Sequence, residues 1–460
     1  MTSEALAHSI VGRLRAAGHQ AFLVGGCVRD LLLGRQPKDF DVATDARPDR
    51  VSELFERSEQ VGAHFGVVLV RHDAAQVEVA TFRSDAGYSD GRRPDAVHFE
   101  SDPRQDAMRR DFTINALLLD PGTNEVLDFT GGREDLRRRV IRAIGDPEER
   151  FQEDHLRLIR AVRFAARLCF DIEPATMGAM QRLHGLIAKV APERVRDELV
   201  RILTEGGARR GFELLDESGL LGDILPEVTA MKGVAQPPEF HPEGDVWTHT
   251  LLLLEKLHDP TVTLAAGALL HDVGKPPTFR VADRIRFDGH VEEGVKLAHG
   301  ILTRLRFSAE QTEQIEALIA NHMRFMNTGQ MRESTMKRFL RMDKFGEHLE
   351  LHRLDCLSSS GKLDSYKLVL ARLAELGEEE LRPALGEEEL RPAPLLTGRD
   401  LIESGYQPGP SFGKMLAAVE DAQLEGRLQN KEDALELVRA EFGEPGNGNS
   451  PTASRLRSAR

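Results

Sequence analysis

The chain is poor in cysteine and in long apolar runs, and its 61 lysines and arginines are outnumbered by 75 acidic residues. Its three cysteines, Cys27, Cys169 and Cys356, are odd in number and widely scattered. That argues against a disulfide framework or a cysteine-based zinc site and fits a reducing, cytoplasmic setting. No apolar stretch approaches the ~20 residues of a membrane-spanning helix, so no membrane partner is expected. The opening MTSEALAHSI has neither a basic patch nor a long apolar core, and no signal peptide is visible. Net charge is −14. A nucleic-acid binder is expected to be basic, so the overall balance counts against one. The distribution is uneven, however. Arginine is dense between positions 104 and 167, and acid collects late, at Glu378–Glu380 and Glu387–Glu389. A basic groove inside an acidic chain fits that pattern.

What is present is a globular composition, 40% hydrophobic and 30% charged, over 460 residues. That length suggests three or four units. The stretch 21–45, AFLVGGCVRDLLLGRQPKDFDVATD, organises the rest. Ala21 to Val24 reads as a buried strand. Gly25 and Gly26 allow a turn that brings backbone N–H groups close to a bulky group. Val28 to Leu33 has helical spacing, ended by Gly34 and Pro37. A second strand is predicted from Asp39 to Ala43. On it Asp39 and Asp41 stand two apart, so both carboxylates face one side, while Phe40 and Val42 point into a core. Two carboxylates fixed side by side repel unless a cation lies between them, and Mg²⁺ is the usual choice beside phosphates. Further on, the alternating strand Gln76 to Phe82 carries Glu78. It either meets the two aspartates from a neighbouring strand or is an edge acid facing water.

Residues 83–106 are rich in Gly, Asp, Ser and Pro, and read as a long mobile loop of the kind that is often functional. In MRRDFTINALLLD, Arg109 and Arg110 stand beside Asp111. Arg110 is suited to clamp a triphosphate bidentately; the alternative is a surface ion pair at a helix start. The spacing predicts one helix over 151–168, FQEDHLRLIRAVRFAARL. Asp154 and Arg157 would be neighbours on its surface, with Arg160 and Arg163 continuing the spacing. One reading is an ion pair worth a few tenths of a kcal/mol. The other is a reader of bases. Cytosine and adenine both present an amine donor beside a ring-nitrogen acceptor, whereas uracil and guanine present a carbonyl beside a ring N–H. A carboxylate next to a guanidinium matches the first pattern and opposes the second.

Four stretches in order carry a resemblance: LVGGCVRDLLLG with KDFDVAT, then RRDFTINAL, EDHLRLIRAVRF and PERVRDEL. Together they resemble bacterial class II tRNA nucleotidyltransferases, the CCA-adding enzymes. The resemblance implies an α+β chain: a small polymerase-β-like mixed-sheet head of five strands, followed by an all-helical neck, body and tail. It also implies that Asp39 and Asp41 bind Mg²⁺, with Glu78 as third catalytic carboxylate. Gly25, Gly26, Arg29, Arg110, Asp111, Asp154, Arg157, Arg160 and Arg163 would meet the incoming nucleotide. The implied reaction is two-metal nucleotidyl transfer from CTP and ATP to a tRNA 3′ end, without a nucleic-acid template or covalent intermediate. An enzyme adding only the terminal A shares these motifs. CC-only relatives lack a complete loop after the third-carboxylate strand, whereas 83–106 is full length and includes GRRP at 91–94. Poly(A) polymerases share the head but usually carry a very basic tail, and this tail is acidic until its last few residues.

Residues 246–325 resemble the HD superfamily of metal-dependent phosphohydrolases. His271 and Asp272 are adjacent at the end of an apolar helix, His249 precedes them, His290 and His322 follow, and Asp355 is a candidate last ligand. Imidazole and carboxylate from one turn can meet one or two divalent ions of unspecified identity. Lys275 is placed to hold a phosphate; His241, His258 and His299 read as structural or surface residues. A phosphohydrolase with an RNA-binding head is the rival reading, but it predicts erosion of the head motifs, and none is visible. A non-catalytic tRNA-binding protein is the third, and would gain nothing from paired aspartates. The expected organisation is a head at 1–143 and a neck with the base template and RNA-binding surface at 144–232. The HD domain follows at 233–360 and a helical tail at 361–442, with a disordered end at 443–460. LGEEELRPA occurs twice, at 376–384 and 385–393, and reads as an inserted, solvated hinge.

Overall fold

The computed structural model describes residues 1–61, 66–88, 91–92, 94–380 and 393–445, with only the backbone at 376–380. Apart from that backbone and Ala393, the nine-residue duplication lies outside the described residues, as does the end of the chain from 446. The chain divides into two units, Met1–Ala320 with Ser358–Ser360, and Asn321–Leu357 with the described residues from Gly361 onward.

The first unit opens with the helix Ser3–Ala16, which buries Leu6, Ala7, Ile10, Val11 and Leu14. Over residues 21–127 its strands in chain order are β1 (Ala21–Val24), β2 (Asp41–Thr44), β3 (Ser58–Gln60), β4 (Val67–His72), β5 (Ala75–Thr81), β6 (Arg83–Ala86), β7 (Ala96–Phe99), β8 (Leu118–Leu119) and β9 (Val126–Leu127). Seven of them form one sheet in the order β3-β4-β5-β2-β1-β8-β9. Only β2 and β5 run parallel in it; the other pairs are antiparallel. The two-residue strands β8 and β9 extend the sheet beyond the five strands expected. Strand β2 begins at Asp41 rather than at Asp39, because its antiparallel partner β1 ends at Val24, opposite Asp41, and the chain then turns away at Gly25. Phe40 and Val42 are buried, as their alternation requires.

Two sequence expectations fail here. The stretch 83–106 contains the antiparallel hairpin β6–β7, register Arg83↔Phe99 to Ala86↔Ala96, and the start of the helix Pro103–Met108. Neither hairpin strand has a fully buried residue, so no apolar alternation could announce it. Nor is 151–168 one helix. It is Pro147–Glu153 and Arg157–Leu168, with Asp154 extended at φ −140° and ψ 105° between them. Its carboxylate accepts the N–H of Leu156 at 3.1 Å. Aspartate favours such local capping over a helix interior, and the apolar spacing, which runs on across the break, conceals it.

The remainder of the first unit is mainly helical, including Pro192–Thr204, Val246–Glu255, Val262–Leu270 and His290–Arg304. In the second unit, Phe325, Met336, Phe339, Leu340, Phe345, Leu349 and Val369 form one core, and Leu401, Met415, Val419 and Val438 belong to another. No described helix is long and apolar enough to cross a membrane.

His348 of the second unit is 2% exposed, and neither ring nitrogen has a hydrogen-bond partner among the described residues. Burial pushes its pKa down to about 4, with the Glu347 charge raising it and Arg324 lowering it. The neutral imidazole is therefore the form that folds. Stability is complete above the ordinary histidine value and is lost as pH falls from there towards 4, by on the order of 3 kcal/mol. Melting followed from neutral to mildly acidic pH should show the second unit weakening over this window, and His348→Leu should flatten the decline. A variant with the parent's pH dependence would mean that other groups govern it.

Candidate active site

Gly25 has φ 78° and ψ −134°, a region open to glycine. A Cβ there would lie 3.3 Å from Arg110 Nη1 and 3.9 Å from Asp41 Oδ2. The turn thus runs between the arginine and the aspartate. Across the parallel pair β2–β5, Asp41 is in register with Glu78, so their side chains leave the same face. Burial, then the charge of Glu78, push the Asp41 carboxyl up to about 6; Arg110 opposes this and Asp39 adds to it. A set of hard carboxylate oxygens whose ionised forms repel one another suits Mg²⁺.

A cavity of about 470 Å³ opens beside this turn, lined by Gly25, Gly26, Arg29, Asp41, Arg110, Asp111, Asp154, Arg157 and Arg160 among others. Asp39, Glu78 and Arg163 are not part of its lining. Acids fix most of the arginines. Arg110 donates to Asp106 at 2.9 Å, and Arg109 donates to the same buried carboxylate at 2.8 Å. Arg29 is buried, donating to Asp30 and, at 2.7 Å, to Asn115. Asp111 accepts from Arg160 at 3.0 Å and from Asn115 at 3.1 Å. Burial alone would raise the Asp111 carboxyl, but Arg160 and these bonds bring it down to about 2. The one-turn helix Thr113–Asn115 in RRDFTINAL thus sets Asn115 between Arg29 and Asp111.

Asp154 and Arg157 both reach the cavity but do not pair with each other as one helix face would have them. Arg157 donates to Glu153, to the carbonyl of Arg150 at 3.0 Å and to that of Arg109 at 3.2 Å. Asp154 accepts from Arg194 at 3.3 Å, a residue of PERVRDEL on the helix Pro192–Thr204. Arg163, expected at the nucleotide, instead pairs with Glu198 of that helix and lies over the ring of Phe164 at 4.2 Å. Sequence reasoning missed Arg83, Asp85 and Tyr88, which also line the cavity. They come from β6 and the turn after it, where Tyr88 donates to Asp85 at 3.1 Å and Asp85 pairs with Arg83 at 3.1 Å.

A second cluster lies elsewhere in the first unit. His249 and His271 are 5.4 Å apart by ring centroids, and His271 Nε2 is 3.2 Å from Asp272. Asp272 and His290 bring ligand atoms within 4.8 Å of each other. A Cβ on Gly274 would lie 2.1 Å from the carbonyl of His290, so the glycine of HDVGK lets the helix His290–Arg304 approach. Burial would raise Asp272, yet His271 and Lys275 hold it well below the carboxylate range. Lys275 is buried against Asp272 and Gln236, each at 2.7 Å. His241, expected to be structural or a surface residue, is 5.1 Å from His249 by ring centroids. Imidazole and carboxylate donors suit a divalent transition ion. His322 and Asp355 belong to the second unit.

Fold and sites define a nucleotidyltransferase with an HD domain. Family models agree: the Poly A polymerase head domain matches 21–142, an RNA and SrmB-binding site of polymerase A matches 169–232, the HD domain matches 245–357, and tRNA nucleotidyltransferase domain 2 matches 391–438. The chain is 32% identical to a CCA-adding enzyme of Lactobacillus helveticus, covering 93% of this chain and 94% of that one. It is 32% identical to a CCA-adding enzyme of Limosilactobacillus fermentum, covering 94% and 97%. The crystal structure of the Bacillus stearothermophilus CCA-adding enzyme in complex with CTP aligns over 96% of this chain and 99% of that one, with TM-score 0.72 and 26% identity. The chain belongs to the family of CCA-adding enzymes.

Gly25→Ala should strain the backbone by about 1–3 kcal/mol and press on Arg110. Titration with a fluorescent CTP analogue should show at least about tenfold weaker binding, with the far-ultraviolet circular dichroism unchanged. Parental affinity would show that Arg110 and the turn can shift without consequence.

Proposed function

We propose that this chain adds CCA to the 3′ ends of tRNA from CTP and ATP, without a nucleic-acid template. The juxtaposition that carries this is Asp41, opposite Glu78 in the sheet, lining the same cavity as Asp154 and Arg157. An enzyme that only cleaves phosphate esters has no use for a base reader beside a carboxylate pair. The relatives' name supports addition of the whole trinucleotide over the final adenosine alone.

Asp39, Asp41 and Glu78 are the proposed catalytic carboxylates, with Asp39 and Asp41 holding Mg²⁺. When bound, the ion activates the tRNA 3′-hydroxyl and stabilises charge building on the α-phosphate. Gly25 and Gly26 let the backbone approach the phosphates. Arg110, held by Asp106, supplies a pre-positioned guanidinium to the triphosphate. Arg29 and Asp111, joined through Asn115, with Arg160 on Asp111, form the wall on which the nucleotide rests. Asp154 accepts from the exocyclic amine of cytosine or adenine, and Arg157 donates to the adjacent ring nitrogen. Arg163 contributes at one remove, by fixing the helix Arg157–Leu168 to its neighbour through Glu198. His249, His271, Asp272 and His290 are proposed to hold a divalent ion that takes no part in nucleotidyl transfer.

Purified protein with Mg²⁺ should extend tRNAs ending before CCA, after C and after CC with labelled CTP or ATP. Asp39→Ala combined with Asp41→Ala should abolish incorporation, and His271→Ala should retain it. The reverse result would make the second cluster the centre of the activity. Incorporation of ATP but never of CTP would reduce the reaction to A addition.

In the same assay, Asp154→Ala should admit UTP or GTP. Unchanged selectivity would place base recognition elsewhere.

A further inference from the structure

The proline-rich stretch GVAQPPEFHPEG, 233–244, reads in sequence as a boundary between domains. In the fold it lies against the second cluster. Its Gln236 is buried and accepts from Lys275 at 2.7 Å. Its Glu243 engages two imidazoles through one oxygen: Oε1 lies 2.9 Å from His241 Nδ1 and 2.7 Å from His249 Nδ1. The His241 and His249 rings meet edge to face. The Glu243 side chain is 7% exposed and that of His249 is fully buried. A carboxylate only accepts hydrogen bonds, so each imidazole presents Nδ1–H to it. A neutral imidazole protonated at Nδ1 carries its lone pair on Nε2. A histidine that serves a cation commonly has its other ring N–H held by a carboxylate in this way.

We propose that Glu243 is a positioning residue of the HD cluster. It fixes His249 as the Nδ1–H tautomer, leaving Nε2 as the ligand atom, and it tethers His241 at the rim as a second donor to the same oxygen. The stretch 233–244 is then a working edge of the cation site, and His241 is not itself a ligand. This rests on the reading of His249, His271, Asp272 and His290 as a cation site.

The test uses the full chain with Co²⁺ as probe, following its visible absorption and the bound metal by mass spectrometry. Glu243→Ala should weaken Co²⁺ binding by about 10–100-fold, and Glu243→Gln, which keeps an acceptor, should recover most of it. His241→Asn should stay within about threefold of the parent, since it removes no ligand. Nitrogen-15 spectra of histidine-labelled parent protein should show His249 protonated at Nδ1, and Glu243→Ala should lose that bias. A parent whose His249 is protonated at Nε2 overturns the proposal without any variant, so it stays falsifiable even where Glu243→Ala fails to fold. Parental Co²⁺ affinity in a folded Glu243→Ala protein also overturns it. If the parent takes up no Co²⁺ while His249 keeps its Nδ1 proton through Glu243, the cation reading fails and the orienting role stands.

Discussion

The parallel pairing of β2 with β5 places two acids side by side, and the catalytic geometry proposed for them depends on that register. Asp41 opposite Glu78 is unfavourable by itself. A rise of the Asp41 carboxyl from 3.8 to about 6 corresponds to about 3 kcal/mol held against its ionised form. The same strands bury Val42, Val77 and Val79, and Phe40 just before β2 is buried as well; each buried side chain of this kind contributes roughly 1.5–3 kcal/mol. The apolar face therefore outweighs that cost, of which burial is the largest cause and the Glu78 charge the next, and it fixes the register, since a slip of one residue would exchange valines for acids. The sheet supplies the energy that keeps the carboxylates close, and a bound cation would offset what remains.

The same logic resolves the charge of the chain. A net charge of −14 sits poorly with nucleotides and tRNA only if charge is averaged over the whole surface. Within the cavity, Arg29, Arg110, Arg157 and Arg160 converge, each held by an acid: Asp30, Asp106, Glu153 and Asp111. Burying these pairs gains little net stability, because desolvation cancels much of the attraction. What it yields is fixed direction: guanidinium groups already oriented when a triphosphate arrives cost no reorganisation then. The acids that lower the net charge are in part the ones that aim the arginines.

The sequence made legible what repeats within one element. Alternation announced β5 and Glu78, and helical spacing announced helix across 151–168, though not its break at Asp154. The ordered motifs led to the family, and with it to nearly all the cavity residues named in advance. What escaped were features decided by partners distant in the chain. Arg163 has the spacing of Arg157 and Arg160, yet Glu198 draws it to another helix. The hairpin β6–β7 has no buried face, so its strands left no apolar signature. Glu243 and His241 sit in a segment whose prolines suggest only a linker, and no local pattern shows that it returns to His249.

The break at Asp154 bears on how a base would be read under the proposed function. In a continuous helix, a carboxylate and a guanidinium three residues apart would bond to each other and spend the groups that a base requires. Here Arg157 uses Nη1 on Glu153 and the Arg150 carbonyl, and one Nη2–H on the Arg109 carbonyl. A guanidinium has five N–H donors, so those bonds leave Nε–H and a second Nη2–H. Asp154 accepts one backbone N–H and one long bond from Arg194, fewer than its two oxygens can take. The two groups are therefore anchored from different directions, Arg157 by the helix Pro147–Glu153 and the Arg109 carbonyl, Asp154 by the helix Pro192–Thr204, with capacity to spare on each. An interrupted helix keeps a donor and an acceptor in one cavity without letting them neutralise one another, which is what the proposed discrimination by a base edge would demand.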